Sequence, residues 1–119
     1  MARILIVDDA LFMRRVVADV VVAAGHVVAG EAHDGTQVLD RFNELRPDVV
    51  TLDITMPGKD GIQVLRELLD EHPDARIVMC SAVGQEPKVI EAMRLGARDY
   101  VVKPFRAERL TEAIESALA

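Results

Sequence analysis

The chain has 119 residues, which is enough for one domain with a core of its own and too few for two. Half of the residues are apolar but only 3% are aromatic, so we expect an aliphatic interior. The formal net charge of −6 argues against non-specific nucleic-acid binding, which normally requires a basic surplus, and favours proteins or small cationic ligands as partners.

Five short runs rich in β-branched residues have the length and composition of strands. In chain order they cover residues 4–7, 27–29, 49–52, 77–80 and 100–102. The first, third and fourth runs are nearly all apolar, as strands covered on both faces should be, so we predict that these three are central. The single cysteine, Cys80, falls in the fourth run and is interpreted as a small buried apolar residue.

Stretches with helical spacing of apolar residues separate the strands and follow the last one. The apolar positions predicted to face the core are Phe12/Val16/Val20/Ala23, Val38/Phe42/Leu45, Leu65/Leu68/Leu69, Val89/Ala92/Met93 and Leu110/Ile114/Ala117/Leu118. Gly25 and Gly96 stand where helices are expected to end, and Pro87 suits a first helical turn. The alternation predicts an α/β fold of the (βα)₅ type, with a parallel sheet, right-handed crossovers and helices on both faces.

No linker, repeat or low-complexity segment interrupts the pattern, so we predict a single domain over residues 1–119. The first apolar run has only four residues before Asp8, too few for a signal peptide or a membrane span. We therefore expect a cytoplasmic protein without membrane association.

Polar residues stand directly after four of the strands. Asp8 and Asp9 follow the first, Asp53 the third, Ser81 the fourth and Lys103 the fifth. The carboxyl ends of parallel strands lie on one rim, where open α/β sheets bind their ligands. Each residue alone has a simpler explanation, as a helix cap, a turn residue or a solvated charge, but independent accidents have no reason to share a rim.

Such a cluster of acids predicts a bound cation. Two carboxylates about 4 Å apart repel by roughly 4 kcal/mol at an effective dielectric constant near 20. Lys103 offsets part of this charge, and Mg²⁺, which takes one or two carboxylates and keeps waters and a phosphate oxygen, can offset the rest. A zinc site is not expected, because His26, His33 and His72 fall near turns and helix ends without ligand spacing and are assigned to the surface.

Beside Mg²⁺, an aspartate carboxylate can attack phosphorus and form an acyl phosphate. Phosphoryl transfer then needs mainly positioning and neutralisation of the equatorial oxygens. Mg²⁺, the Lys103 ammonium, and the Ser81 hydroxyl with a nearby backbone N–H can each serve one oxygen. The residues themselves therefore indicate a phosphoryl-accepting site.

At this point the sequence resembles the response-regulator receiver family over essentially its whole length, and within it the single-domain regulators of chemotaxis. The motifs that carry the resemblance are IVDD at 6–9, LDITMP at 52–57 with DG at 60–61, CSA at 80–82 and YVVKPF at 100–105. The resemblance implies a flavodoxin-like three-layer sandwich with strand order 2-1-3-4-5. It also implies a cis peptide bond between Lys103 and Pro104.

The resemblance assigns Asp53 as the residue that a histidine kinase of a two-component system phosphorylates. It implies that Asp9, Asp53 and the backbone carbonyl of Thr55 ligate Mg²⁺, and that Asp8 acts mainly through water. With Asp53, two further residues would be catalytic by contacting the phosphoryl oxygens, namely Ser81 and Lys103.

The resemblance also implies a switch. Ser81 would move toward the phosphoryl group and Tyr100 would turn inward, which would remodel the surface of the fourth helix, fifth strand and fifth helix. Serine replaces the commoner threonine at position 81, which keeps the hydroxyl and loses a stiffening methyl group. Thr55 and Val83 occupy positions that tune dephosphorylation in the family.

Partners implied by the resemblance are a chemotaxis-type sensor histidine kinase, a flagellar motor switch protein and, as a further candidate, a phosphatase. The protein is expected to be a monomeric signalling switch that catalyses its own phosphorylation and dephosphorylation, rather than a metabolic enzyme. The sequence does not distinguish a complete protein from a receiver within a longer regulator, and it names neither the cognate kinase nor the lifetime of the phosphorylated state.

The same pattern of strands and acids is compatible with three other classes of protein. A flavodoxin-like electron carrier needs a hydroxyl- and glycine-rich loop after the first strand, where this chain has DDALF. A haloacid-dehalogenase-like phosphatase separates its paired aspartates by one residue, whereas Asp8 and Asp9 are adjacent. A degenerate receiver that only docks partners is disfavoured because the acid pair, acceptor, hydroxyl and lysine are all present.

Overall fold

The structure is a computed structural model that describes every residue from Met1 to Ala119. One parallel sheet of five strands has the order β2-β1-β3-β4-β5. The strands are β1 Arg3–Val7, β2 Val27–Ala32, β3 Val49–Asp53, β4 Ile77–Ser81 and β5 Asp99–Val102. This confirms the (βα)₅ prediction, the central position of the three most apolar strands and the strand order that the resemblance implied.

Five helices cover the two faces of the sheet. They are α1 Leu11–Ala23, α2 Val38–Leu45, α3 Gly61–Glu71, α4 Glu86–Leu95 and α5 Ala107–Leu118. Helices α2, α3 and α4 enclose one apolar cluster with the sheet, and α1 and α5 enclose a second on the other face. Because β3 and β4 are buried throughout, the residues that end these strands are fixed by two packed layers.

The predicted core face of α1 is wrong in part. The buried residues are Val17, Val20 and Val21, whereas Phe12 is 75% exposed. This helix is apolar around most of its circumference, so spacing alone did not determine which side would pack. Contact with the sheet and with α5 selects the face.

The surface assignment of His26 is also wrong. This side chain is buried, with its Nδ1 accepting a hydrogen bond from the Ala2 N–H at 3.0 Å and its Nε2 lying 2.8 Å from Glu115 Oε1. An imidazole that accepts at Nδ1 donates at Nε2. His26 therefore ties the turn after α1 to the start of β1 and to α5.

Gly61 is required where the chain leaves β3 and enters α3. A Cβ atom at this position would overlap the carbonyl oxygen of Asp53 and lie 2.7 Å from the Cα of Ile54. We expect Gly61→Ala to lower the free energy of unfolding by about 1–3 kcal/mol, the usual cost of forcing an extra carbon into a packed region. Urea denaturation would measure this loss, with Gln63→Ala, an exposed site on the same helix, as the control.

Candidate functional site

Three carboxylates meet at the carboxyl rim of the sheet. Asp8 follows β1, Asp9 begins the next loop, and Asp53 ends β3. One carboxylate oxygen from each residue lies within 4.8 Å of the corresponding oxygens of the other two. The strand register therefore brings together residues that are 45 positions apart in sequence.

Lys103, the residue directly after β5, completes the site. Its backbone N–H donates to the carbonyl oxygen of Ser81 at 2.7 Å, which continues the β4–β5 pairing past the end of β5. Its Nζ donates to Asp8 Oδ2 at 2.8 Å and lies 3.4 Å from Asp53 Oδ2. The Lys103–Pro104 peptide bond is cis, as the resemblance implied.

The charges around Lys103 keep its ammonium protonated. Burial alone would lower the pKa of Lys103, but the hydrogen bond to Asp8 and the charges of Asp53 and Asp8 outweigh burial and raise the pKa above its ordinary value. One ammonium faces three carboxylates here, so two negative charges remain without a fixed partner when all three acids are ionised.

The carboxyl group of Asp53 is harder to ionise than a free aspartate in these surroundings. Burial raises the pKa of Asp53 from 3.8 to about 6; Lys103 opposes the rise and Asp8 adds to it. Only 6% of the residue is exposed, and the backbone N–H of Thr55 lies 3.4 Å from its Oδ1. Asp53 is thus an ionised but poorly compensated carboxylate at neutral pH.

Asp8 is held more tightly than Asp9. Both carboxylate oxygens of Asp8 are engaged, Oδ1 by the Ala10 N–H at 2.9 Å and Oδ2 by Lys103. The backbone carbonyl of Asp8 accepts a hydrogen bond from the Arg14 guanidinium at 2.8 Å. Asp9 is exposed and has no side-chain hydrogen bond, so its lone pairs face the solvent side of the site.

Ser81 and Tyr100 line one open cavity. Ser81 is buried, and its hydroxyl lies 3.5 Å from the carbonyl oxygen of Val101, at the limit of a hydrogen bond. Tyr100 is 38% exposed. A cavity of about 300 Å³ between α4 and β5 is lined by Ser81, Val89, Ile90 and Tyr100, among others. The hydroxyl of Ser81 is therefore held by one long hydrogen bond, and the residue lies next to an open cavity.

Neighbouring Cys80 takes no part in the polar site. The thiol is buried, as the sequence predicted, and burial raises its pKa to about 12. A thiol that stays protonated is a poor nucleophile and a poor metal ligand.

Two site neighbours were missed by the sequence interpretation. Arg14 supports Asp8 from α1 and also bonds Glu31 Oε1 at 2.9 Å. Gln85 donates from its side chain to the hydroxyl of Thr55 at 2.7 Å. Both contacts join residues that only the folded chain brings together, and no spacing in the sequence indicates them.

The acids fit a hard divalent cation. All three candidate donors are carboxylate oxygens, the type that Mg²⁺ and Ca²⁺ prefer, and the uncompensated charge described above favours a cation there. The cluster therefore has the composition and spacing of a metal site.

The pKa of Asp53 predicts how stability depends on pH when divalent cations are chelated. Since the folded-state pKa, about 6, lies above the unfolded value of 3.8, the folded protein holds more protons between these values and loses stability as pH rises through that window. Asp53→Asn removes this ionisation, so we expect it to stabilise the protein at pH 7.5 by about 1–2 kcal/mol after solvent screening.

Urea denaturation in EDTA at pH 4.5 and 7.5 measures this effect. The advantage of Asp53→Asn over wild type should be larger at pH 7.5 than at pH 4.5. Asp74→Asn, which removes an exposed charge at the opposite end of the sheet, is the control. An equal advantage at both pH values would contradict the raised pKa.

Comparison with known proteins agrees with this geometry. The family model for the response regulator receiver domain matches residues 4–115 of this chain. The chain therefore belongs to the response regulator receiver domain family.

Two relatives and one solved structure to which the chain is similar are CheY proteins or contain one. The chain is 49% identical to chemotaxis protein CheY of Thermotoga maritima, over 94% of this chain and 93% of that protein. It is 51% identical to chemotaxis protein CheY of Bacillus subtilis, over 98% of this chain and 97% of that protein. Among solved structures, the CheX–CheY–BeF3–Mg²⁺ complex of Borrelia burgdorferi matches with a TM-score of 0.93 and 31% identity, covering 98% of this chain and 89% of the other.

No helix combines the length and the apolar character needed to cross a bilayer.

Proposed function

We propose that the protein is a chemotaxis-type response regulator that accepts a phosphoryl group on Asp53 and changes the surface presented to a partner. The observation that carries the proposal is the position of Asp53, a buried carboxylate with a raised pKa, between two further acids and the ammonium of Lys103. The similarity to CheY proteins over nearly the full chain favours chemotaxis as the setting.

The metal of this site is proposed to be Mg²⁺. Asp9, Asp53 and the backbone carbonyl of Thr55 would hold it, and Asp8 would contribute mainly through water. When bound, Mg²⁺ supplies a positive charge that neutralises the carboxylates and the incoming phosphoryl oxygens. The Mg²⁺-containing CheY complex noted above supports this identity.

The geometry of the side chains supports the following reaction. An Asp53 carboxylate oxygen attacks the phosphorus of a phosphohistidine on the kinase, the P–N bond breaks, and the imidazole leaves with a proton from solvent. The product is an acyl phosphate on Asp53. Lys103 Nζ, already 3.4 Å from Asp53 Oδ2, is placed to contact one phosphoryl oxygen.

Ser81 is proposed to read the modification. Its weakly held hydroxyl would move toward a phosphoryl oxygen, together with a backbone N–H of the following loop. The space that Ser81 leaves adjoins the cavity in front of Tyr100, so the ring would turn inward and fill it. The surface formed by α4, β5 and α5 would then differ between the two states.

The remaining assignments follow from this role. Residues 1–119 act as one receiver domain in the cytoplasm, as a monomer that turns over its own phosphoryl group. The phosphodonor is a chemotaxis-type sensor histidine kinase, the output partner is a flagellar motor switch protein, and a phosphatase is a further candidate. A motor switch protein that bound equally well with and without phosphorylation would count against the output assignment.

The direct test uses the protein, Mg²⁺ and acetyl phosphate as a small phosphodonor. Intact-mass spectrometry should show one added phosphoryl group per chain, none in EDTA, and loss of the group on treatment with hydroxylamine, which cleaves acyl phosphates. No incorporation, or incorporation that hydroxylamine leaves intact, would overturn the proposal.

A further inference from the structure

The side chain of Gln85 bridges the two loops that flank Asp53. Its Oε1 accepts a hydrogen bond from the Ala82 N–H at 2.6 Å, and its Nε2 donates to Thr55 Oγ1 at 2.7 Å. Ala82 is next to Ser81, and Thr55 is two residues beyond Asp53. One amide therefore joins the β4–α4 loop to the β3–α3 loop at the rim.

The orientation of this amide is determined by its partners. A backbone N–H can only donate, so the oxygen of Gln85 must face Ala82, and the nitrogen then faces the hydroxyl of Thr55, which accepts. The backbone carbonyl of Gln85 accepts from Lys88 and Val89 N–H groups at 3.0 and 3.1 Å, which anchors the residue to the first turn of α4. The bridge is thus attached to a regular element.

We propose that Gln85 is a positioning residue that clamps the two loops in the unphosphorylated protein and thereby opposes phosphorylation. The inference rests on the proposed function, in which a backbone N–H beside Ser81 contacts a phosphoryl oxygen. The N–H of Ala82 is the first such donor after Ser81, and Gln85 already occupies it.

The clamp opposes phosphorylation because Gln85 and a phosphoryl oxygen compete for the Ala82 N–H. A phosphoryl oxygen is charged and accepts a hydrogen bond more strongly than a neutral amide, so the phosphoryl group displaces Gln85. The displaced contact still has to be broken, and with it the bond to Thr55. Both bonds are exposed and are replaced by bonds to water when they break, so removing Gln85 should favour the phosphorylated form by roughly the net value of one typical hydrogen bond.

Binding of beryllofluoride with Mg²⁺, a stable analogue of the phosphoryl group, measures this preference. We expect Gln85→Ala to bind beryllofluoride about three- to tenfold more tightly than wild type. Gln63→Ala, which removes the same side chain at an exposed site on α3, should bind like wild type. Unchanged or weaker binding by Gln85→Ala would overturn the clamp.

The resting state offers an independent readout. Without phosphodonor, NMR should show faster exchange of the Ala82 amide proton in Gln85→Ala, whereas Gln85→Glu, which keeps an acceptor oxygen, should retain the wild-type rate. An Ala82 exchange rate that is the same in Gln85→Ala and wild type would overturn the clamp.

The measurements distinguish a failure of the proposed function from a failure of the Gln85 clamp. Absence of beryllofluoride binding by wild type would overturn the proposed function and with it the competition. Normal wild-type binding together with an unchanged Gln85→Ala variant would overturn the clamp alone.

Discussion

Asp53→Asn is expected to abolish phosphoryl incorporation from acetyl phosphate, a loss of at least about a hundredfold that reaches the background of the assay. Asparagine keeps the size of the side chain but lacks the carboxylate that attacks phosphorus. The fold should persist, because the substitution relieves an unfavourable buried charge. Intact-mass spectrometry over time measures the incorporation.

The control for this prediction is Asp74→Asn, which should incorporate phosphoryl groups at the wild-type rate. Circular dichroism and urea denaturation would show that both variants fold. Substantial incorporation by Asp53→Asn, through Asp8, Asp9 or any other residue, would contradict the assignment of the acceptor.

Lys103→Ala should have the second-largest effect. Its Nζ contacts both Asp8 and Asp53, and no other cationic side chain lies within 4.0 Å of either carboxylate. Without this ammonium, charge on the transferring phosphoryl group loses its nearest fixed protein cation, and we expect the rate of phosphorylation to fall about a hundredfold or more. Asp53 should also become harder to ionise, because Lys103 is the main influence that lowers its pKa.

Separating metal binding from phosphoryl transfer makes this test specific. Magnesium titration of Lys103→Ala should show binding at least as tight as wild type, since the competing positive charge is gone. Lys88→Ala, an exposed position on α4, is the matched control. Phosphorylation of Lys103→Ala at the wild-type rate would remove Lys103 from the mechanism.

The sequence predicted the sheet well because the signals were local. Apolar runs of strand length define β1, β3 and β4, and the burial of all three follows from being central. The meeting of Asp8, Asp9 and Asp53 then follows from parallel strands alone, since their carboxyl ends share a rim. The prediction of one acidic cluster thus needed topology but no side-chain detail.

The errors arose where long-range packing decides the outcome. In α1, apolar residues on most sides left several possible faces, and only contact with the sheet and α5 selected Val17, Val20 and Val21. His26 looked like a turn residue, but its two hydrogen bonds reach residues 24 and 89 positions away. Such partners are invisible to a local pattern.

Gln85 illustrates the same limit within the site. A glutamine in a loop carries no chemical signature, and its partner Thr55 lies 30 residues away. Strand ends position the acids, Ser81 and Lys103, so a sequence pattern can predict those residues. The contacts between the loops of the site are visible only in the folded structure.

Chemical trapping of the modified residue tests the central claim most directly. The protein, phosphorylated with Mg²⁺ and acetyl phosphate, would be reduced with borohydride, which converts an aspartyl phosphate to homoserine, and then mapped by peptide mass spectrometry. We expect homoserine at position 53 and nowhere else, and none when EDTA is present. Homoserine at another aspartate, or at position 53 without a divalent cation, would contradict metal-dependent phosphorylation of Asp53.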